Sequence, residues 1–181
     1  MAGKALGKSK SIASPPLELS IQAQTGARYV AFLRRYLLRT HAILQPALCE
    51  LSLALVGDAR MSMLHQQFMD VVGPTDVLTF PLEFDKRKRV ISGEVVICVP
   101  EAMRQARARK LSVDRELLLY ALHGMLHLCG FDDRTEAAFQ KMHRMEDDIL
   151  IKLGLGPVFK PADSSRSTRA LASRGGRSRR A

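Results

Sequence analysis

Residues 112–133 read SVDRELLLYALHGMLHLCGFDD, and this stretch decides the fold. Ser112 stands where a helix cap belongs, Leu117, Leu118, Leu122 and Leu126 recur at helical spacing, and Gly130 follows as a helix-ending glycine. The spacing predicts a long, apolar helix from Val113 to Cys129, central to the domain. His123 and His127 lie four residues apart on it, so they differ by about 40° in azimuth and about 6 Å in rise. Both imidazoles can therefore reach one ion. A left-handed turn at Gly130 brings the chain back and sets Asp132 or Asp133 over the same face. Two histidines and one carboxylate leave a position open on a tetrahedral metal, as a catalytic site does and a closed structural site does not. A histidine pair on an apolar helix is often only a satisfied core pair; the glycine and the two aspartates shift the balance toward a metal.

Working outward, Thr135 can cap a last helix that ends near Gly154, and Pro100 fits the first position of a helix to about Lys110. Val90–Val99 is a strand with Gly93 as a candidate bulge, and Asp76–Phe80 is a short strand closed by Pro81. Alternation over 49–55 and over 17–21 gives two further strands. Asp58 offers an N-cap for a helix through about Phe68, and Val30, Leu33 and Leu37 share one face of a helix that begins after Gly26. The expected class is α+β: a small mixed four-stranded sheet packed with about five helices, the histidine pair on a central one.

The chain has 181 residues, 46% of them hydrophobic, and a formal net charge of +10. That composition excludes wholesale disorder, and no apolar run approaches the ~18 residues of a membrane span. The charge is uneven. Residues 18–159 carry 18 bases and 17 acids, so nearly all of the excess lies at the ends. We expect a disordered basic arm over 1–16, one domain over 17–157 and a disordered arginine-rich tail over 158–181. Cys49, Cys98 and Cys129 are odd in number, far apart and set among apolar residues, which suits free thiols in a reducing compartment. The N-terminus has no apolar signal core, so the expected location is cytoplasmic.

The spacing His-x3-His-x2-Gly-x2-Asp follows the frame of the metzincin proteases with two changes. The glutamate that serves those enzymes as general base is Gly124 here, and their third histidine is Asp133. Glycine cannot take a proton, so a zinc protease is the weaker reading.

The segment HGMLHLCGFDD, residues 123–133, resembles the H-G-x-L-H-L-x-G-[YF]-D-H signature of the YbeY family of metal-dependent endoribonucleases. Residues 74–81, PTDVLTFP, are similar to that family's P-T-D-V-L-S-F-P, and Gly93–Ile97 to the strand after it. The resemblance spans roughly residues 48–154. It implies one divalent ion held by His123, His127 and Asp133; two imidazoles and a carboxylate suit zinc best, and nickel, iron and manganese fit too. It also implies single-stranded RNA as substrate, cut as metal-activated water attacks a phosphodiester, with a role in ribosomal RNA 3′-end processing and ribosome maturation. The ribosome is then an expected partner.

Two positions depart from the family. Its third histidine is Asp133, and a carboxylate there leaves the site near +1, so that bound water is less acidic. The aspartate before it matches Asp132, to which we assign a supporting or helix-entry role. The family's arginine before the turn is Met69, and a thioether cannot make a guanidinium's phosphate contact. Candidate replacements are Arg60 and the basic loop Lys86, Arg87, Lys88 and Arg89; His65, at the family's asparagine position facing the cleft, is a second catalytic candidate beside Arg60, and Thr75 and Asp76 are further substrate-binding candidates. These departures keep open a non-catalytic, RNA- or ribosome-associated reading. His41 at a helix end, His143 on a solvated face, Met142 and Met145 as core filler, and the Arg104–Lys110 stripe as a solvated face are expected to be structural.

Overall fold

A computed structural model describes residues 15–159. Apart from Pro15, Pro16, Val158 and Phe159, the expected basic arm and arginine-rich tail lie outside the described residues. Strands β1 (Glu18–Ala23), β2 (Glu50–Val56), β3 (Val77–Phe84) and β4 (Val90–Cys98) form one sheet in the order β1-β2-β4-β3. β1 and β2, and β2 and β4, run parallel; β3 runs antiparallel to β4 and forms an edge. Five α-helices accompany them among the described residues: α1 (Val30–Leu44), α2 (Asp58–Met69), α3 (Val99–Arg109), α4 (Val113–Leu128) and α5 (Glu136–Lys152). The expected α+β architecture with a mixed four-stranded sheet is the one observed.

α4 is the axis of the domain. Leu117, Leu118, Leu122, Met125 and Leu126 are fully buried, packed with Leu33 and Leu37 of α1 and with Leu51, Leu53, Val95 and Ile97 of the sheet. A second, smaller cluster on the other face of the sheet joins Val56, Leu78, Val96 and Cys98 to Met61 of α2. Apolar alternation on β2 and β4 thus serves two cores, one on each face. Ser112 Oγ accepts from the backbone N–H of Arg115 and Thr135 Oγ1 from that of Ala138, the caps expected for α4 and α5.

Four local expectations need correction. Asp58 does not cap α2: Gly57 does, in extended conformation, and Asp58 is the first helical residue. Its carboxylate accepts from Arg104 at 2.7 and 3.0 Å, which ties α2 to α3 and holds the Asp58 carboxyl below its ordinary range. Pro81 does not close β3, which continues to Phe84. An edge strand tolerates a residue with no N–H to donate. The register slips twice next to Gly93, with Leu82 extra between Pro81 and Glu83 on β3 and Ile91 extra between Ser92 and Val90 on β4, while Gly93 itself stays paired with Pro81. Gly93 answers a different need, since a Cβ there would meet the Leu128 side chain at 2.7 Å. His143 is not on a solvated face: it packs between two phenylalanines of the α5 region. His41 keeps its expected structural place in the last turn of α1, where it is buried and donates from Nε2 to the Leu48 carbonyl at 2.7 Å, pinning the α1–β2 connection.

Candidate metal centre

α4 carries both histidines to the floor of an open cleft of about 750 Å³, walled by β3 on one side and by residues 130–134 on the other. Their ring tautomers follow from their neighbours. His127 Nδ1 lies 3.1 Å from the Phe131 carbonyl, and His123 Nδ1 lies 2.8 Å from Glu146 Oε1. Both partners are acceptors, so each Nδ1 carries the proton and donates it. Each Nε2 is then left with a lone pair, and the two Nε2 atoms converge to 3.1 Å. Asp133 Oδ2 completes the triangle, 3.4 Å from His123 Nε2 and 3.7 Å from His127 Nε2.

Three electron-rich atoms held this close repel one another unless a cation or proton lies between them. Tetrahedral ligands at about 2.0–2.1 Å from a zinc ion stand about 3.3 Å apart, and the three observed edges bracket that spacing. Among the described residues, His123, His127 and Asp133 are the one set of three such groups whose ligand atoms come together. The donor set therefore fits a divalent ion.

The choice between the two aspartates has a local cause. Gly130 takes φ +90, and the backbone N–H of Phe131 returns to the Leu126 carbonyl, so the chain folds back over α4. Asp132 then spends its carboxylate on the turn: Oδ1 accepts from the backbone N–H groups of Asp133 and Arg134, and both oxygens accept from Arg134 Nε. Arg134 thereby holds the Asp132 carboxyl below its ordinary range. Asp133 is the carboxylate turned toward the histidines.

Behind the site lies an arrangement that the sequence reading missed. Glu146 of α5, 1% exposed, accepts from His123 Nδ1 through Oε1 and from His143 Nδ1 at 2.6 Å through Oε2. A carboxylate that grips the far nitrogen of a ligating imidazole fixes both its tautomer and its orientation. One signal was available: Glu146 falls on the same helical face as Met142 and Ile149, so a charge interrupts an apolar stripe. Burial opposes the imidazolium of His123, but the Glu146 hydrogen bond and charge, helped by Asp133 and Asp76, outweigh it and raise the pKa above the ordinary imidazole value.

The sign of the resulting pH dependence follows. Without an ion, the raised pKa stabilises the fold by an amount fully present below the ordinary imidazole value and lost as pH rises through the raised one. Metal binding runs the other way, because the proton and the cation compete for Nε2. Calorimetric titration with zinc is expected to show affinity falling, and proton release growing, as pH is lowered through the His123 transition. An affinity that does not change with pH there would contradict this role for His123.

Gly124 is fixed by packing. A Cβ at this position would stand 2.8 Å from Thr79 Oγ1 and 2.8 Å from Val95 Cγ1, because α4 lies directly against β3 and β4. A glutamate cannot occupy the position without moving the helix off the sheet. Gly124→Ala is expected to cost about 1–3 kcal/mol through overpacking. Thermal unfolding measures it; an unchanged midpoint would show that the contact relaxes freely.

The other expected site residues are scattered. Arg60 is exposed on the first turn of α2 and does not line the cleft. His65 Nδ1 donates to the Gly73 carbonyl at 2.9 Å and holds the turn before β3. Thr75 Oγ1 donates to Asp76 Oδ1, which also accepts from the Val77 N–H, so this pair shapes the entry to β3. Asp76 lines a second cavity on the other side of His123. Lys86, Arg87, Lys88 and Arg89 form the exposed β3–β4 turn, with Arg89 paired to Asp85 at 2.7 Å. Lys88 and Arg89 line a cavity of about 420 Å³ that shares Val90, Leu128, Gly130 and Phe131 with the main cleft. Met69 does line the cleft, and so does Arg134, which is the arginine found there and which the sequence reading overlooked.

Comparison with known proteins follows the same outline. A family model described as endoribonuclease YbeY matches residues 19–154. A relative from Acidothermus cellulolyticus, named endoribonuclease YbeY, is 38% identical over 114 residues, covering 57% of this chain and 70% of its own. One of the same name from Beutenbergia cavernae is 36% identical over 132 residues, covering 69% and 86%. Among solved structures, the solution structure of TM1509 from Thermotoga maritima superposes with a TM-score of 0.55 at 26% identity, covering 82% of this chain and all of that one.

Proposed function

The chain belongs to the YbeY endoribonuclease family, and from that premise we propose that it cleaves single-stranded RNA with a divalent ion, zinc by preference, held by His123, His127 and Asp133. The observation that carries the reading is the convergence of two Nε2 lone pairs and one carboxylate oxygen on the floor of an open cleft. An ion bound there supplies Lewis acidity toward a phosphate oxygen and activates water as nucleophile. The chain's own residues do the rest. Glu146 and the Phe131 carbonyl hold the imidazoles in register. Arg134, exposed on the cleft wall, takes the phosphate-binding part that Met69 cannot. Asp132 orients that guanidinium.

An extended strand suits this shape better than a duplex, since its backbone can follow the cleft past Gly130 and Phe131 toward Lys86–Arg89. The ribosomal setting, 3′-end processing included, and the ribosome as partner rest on the family resemblance and on the charge of residues 160–181, which carry seven bases and one acid. Deleting 160–181 is expected to weaken RNA binding and to flatten its salt dependence while metal content stays the same. An unchanged salt slope would contradict the tether.

The direct test incubates the full-length protein of known metal content with single-stranded RNA, duplex RNA and casein, beside a His123→Ala/His127→Ala variant. Cleavage of the single strand that disappears in the variant supports the reading. RNA cleavage that survives the double substitution refutes the metal mechanism, casein cleavage lost in the variant revives a protease, and stoichiometric metal without cleavage favours a non-catalytic factor.

A further inference from the structure

Beside the metal centre, on the far side of His123 from the cleft, lies a second cavity of about 390 Å³. It shares His123 and Val77 with the cleft, so both cavities border the same imidazole. One wall is aromatic. The His143 ring stacks on Phe159 with centroids 3.8 Å apart and planes 26° apart, and meets Phe139 edge-on at 4.0 Å. The wall is also held in place. His143 is clamped through Nδ1 by Glu146, and the backbone N–H groups of Val158 and Phe159 donate to Asp147 Oδ1 at 2.7 and 3.1 Å, which anchors Phe159 after α5. Yet the two phenylalanines are 41% and 38% exposed and belong to neither hydrophobic cluster.

The opposite wall is polar. Asp76 uses Oδ1 for Thr75 and Val77, and its Oδ2 has no partner among the described residues. Arg109 is steadied at 3.1 Å by the buried Glu116. Partly exposed aromatic faces in one cavity with a free acceptor and an ion-paired guanidinium form a chamber for a flat heterocycle with polar edges. Pockets from about 300 Å³ upward hold small ligands.

We propose that this cavity is a nucleobase-binding subsite. The base of a nucleotide next to the scissile phosphate stacks on the Phe139–His143–Phe159 wall while Asp76 and Arg109 meet its polar edge. The inference rests on the proposed RNA cleavage and adds a contact that the metal cleft does not supply. Stacking of this kind tolerates every base, because each has a π face, so the subsite positions the strand more than it reads sequence. Composition alone hides it: the chain has no Trp and only three Tyr, and the wall joins Phe139 and His143, one turn apart on α5, to Phe159 beyond the helix end.

The test uses the full-length protein and a short single-stranded RNA carrying 2-aminopurine, whose fluorescence is quenched on stacking. Phe139→Ala and Phe159→Ala are each expected to relieve the quenching and weaken binding about five- to tenfold, the low end for base–aromatic stacking because both rings are half exposed. Phe159→Tyr should restore both. Metal content and melting temperature, followed in parallel, should stay near wild type, since neither ring is in the core. A matching RNA with an abasic site beside the scissile phosphate should be cut more slowly by the wild-type protein and at a rate the two alanine variants barely change. Quenching and cleavage that ignore both substitutions and the abasic site, in a protein that does cut RNA, would overturn the subsite alone. A wild-type protein that neither binds nor cuts RNA would overturn the proposed function and the subsite with it.

Discussion

Asp133→Ala is expected to lower divalent-metal affinity more than about 100-fold and to abolish RNA cleavage, while Asp132→Ala leaves metal affinity near the wild-type value. Losing a group that only supports a ligand typically costs about 10- to 100-fold in affinity, and losing a ligand exceeds that. The two aspartates are adjacent and chemically identical, so the contrast isolates geometry. Asp133 Oδ2 stands 3.4 and 3.7 Å from the two Nε2 atoms, whereas the Asp132 carboxylate is committed to Asp133 and Arg134 backbone N–H groups and to the Arg134 guanidinium. Asp132→Ala should loosen the turn and free Arg134, which raises KM for RNA more than it affects metal. Calorimetric metal titration of both variants gives the answer. Equal losses in the two would mean that the turn as a whole, and not one carboxylate, governs the site.

Glu146→Gln is expected to weaken metal binding about 10- to 100-fold, although the carboxylate is hydrogen-bonded to His123 and would not itself ligate the ion. The carboxylate accepts from two Nδ1–H groups, one on each oxygen. An amide of the same shape offers one acceptor and one donor, so one of the two histidines must lose its bond or change tautomer. If it is His123, the proton moves to Nε2 and that nitrogen can no longer ligate. The fold also loses a buried, charge-assisted hydrogen bond, worth about 1.5–3 kcal/mol, and thermal unfolding should report it. A variant that melts earlier yet binds metal as tightly as wild type would reduce Glu146 to a structural role.

How much of this was legible in the sequence depends on what each residue interacts with. The core helix, its Ser112 cap and its Gly130 stop are local features, written within a few residues of one another. The i, i+4 spacing of His123 and His127 guarantees a shared face for the same reason, and the turn at Gly130 narrows the carboxylate to two neighbours. Spacing alone left Asp132 and Asp133 open and only the family resemblance favoured Asp133, because the geometry depends on which of them captures Arg134 and the turn's N–H groups. The Pro81 boundary failed because strand position in a sheet is a long-range property: the same proline ends a central strand and is harmless on an edge. Glu146 and His143 went unread because the partner of Glu146, His123, lies 23 residues away on another helix; the charge within the Met142–Ile149 stripe marks Glu146 as inward-facing but not what it binds. Arg134 was not legible because its place on the cleft wall depends on the left-handed turn at Gly130 and on its pairing with Asp132. The basic turn Lys86–Arg89 was recognised as charged, but its separation from His123, His127 and Asp133, beyond an intervening cavity, could be seen only in three dimensions.

The central claim is that a divalent ion at His123, His127 and Asp133 enables this chain to cleave RNA. Its most direct test strips the full-length protein with a chelator and titrates zinc back while following cleavage of a single-stranded RNA. The account predicts that cleavage is lost on stripping and returns in proportion to added metal, saturating at one equivalent per chain. Cleavage that persists in the stripped protein would contradict it.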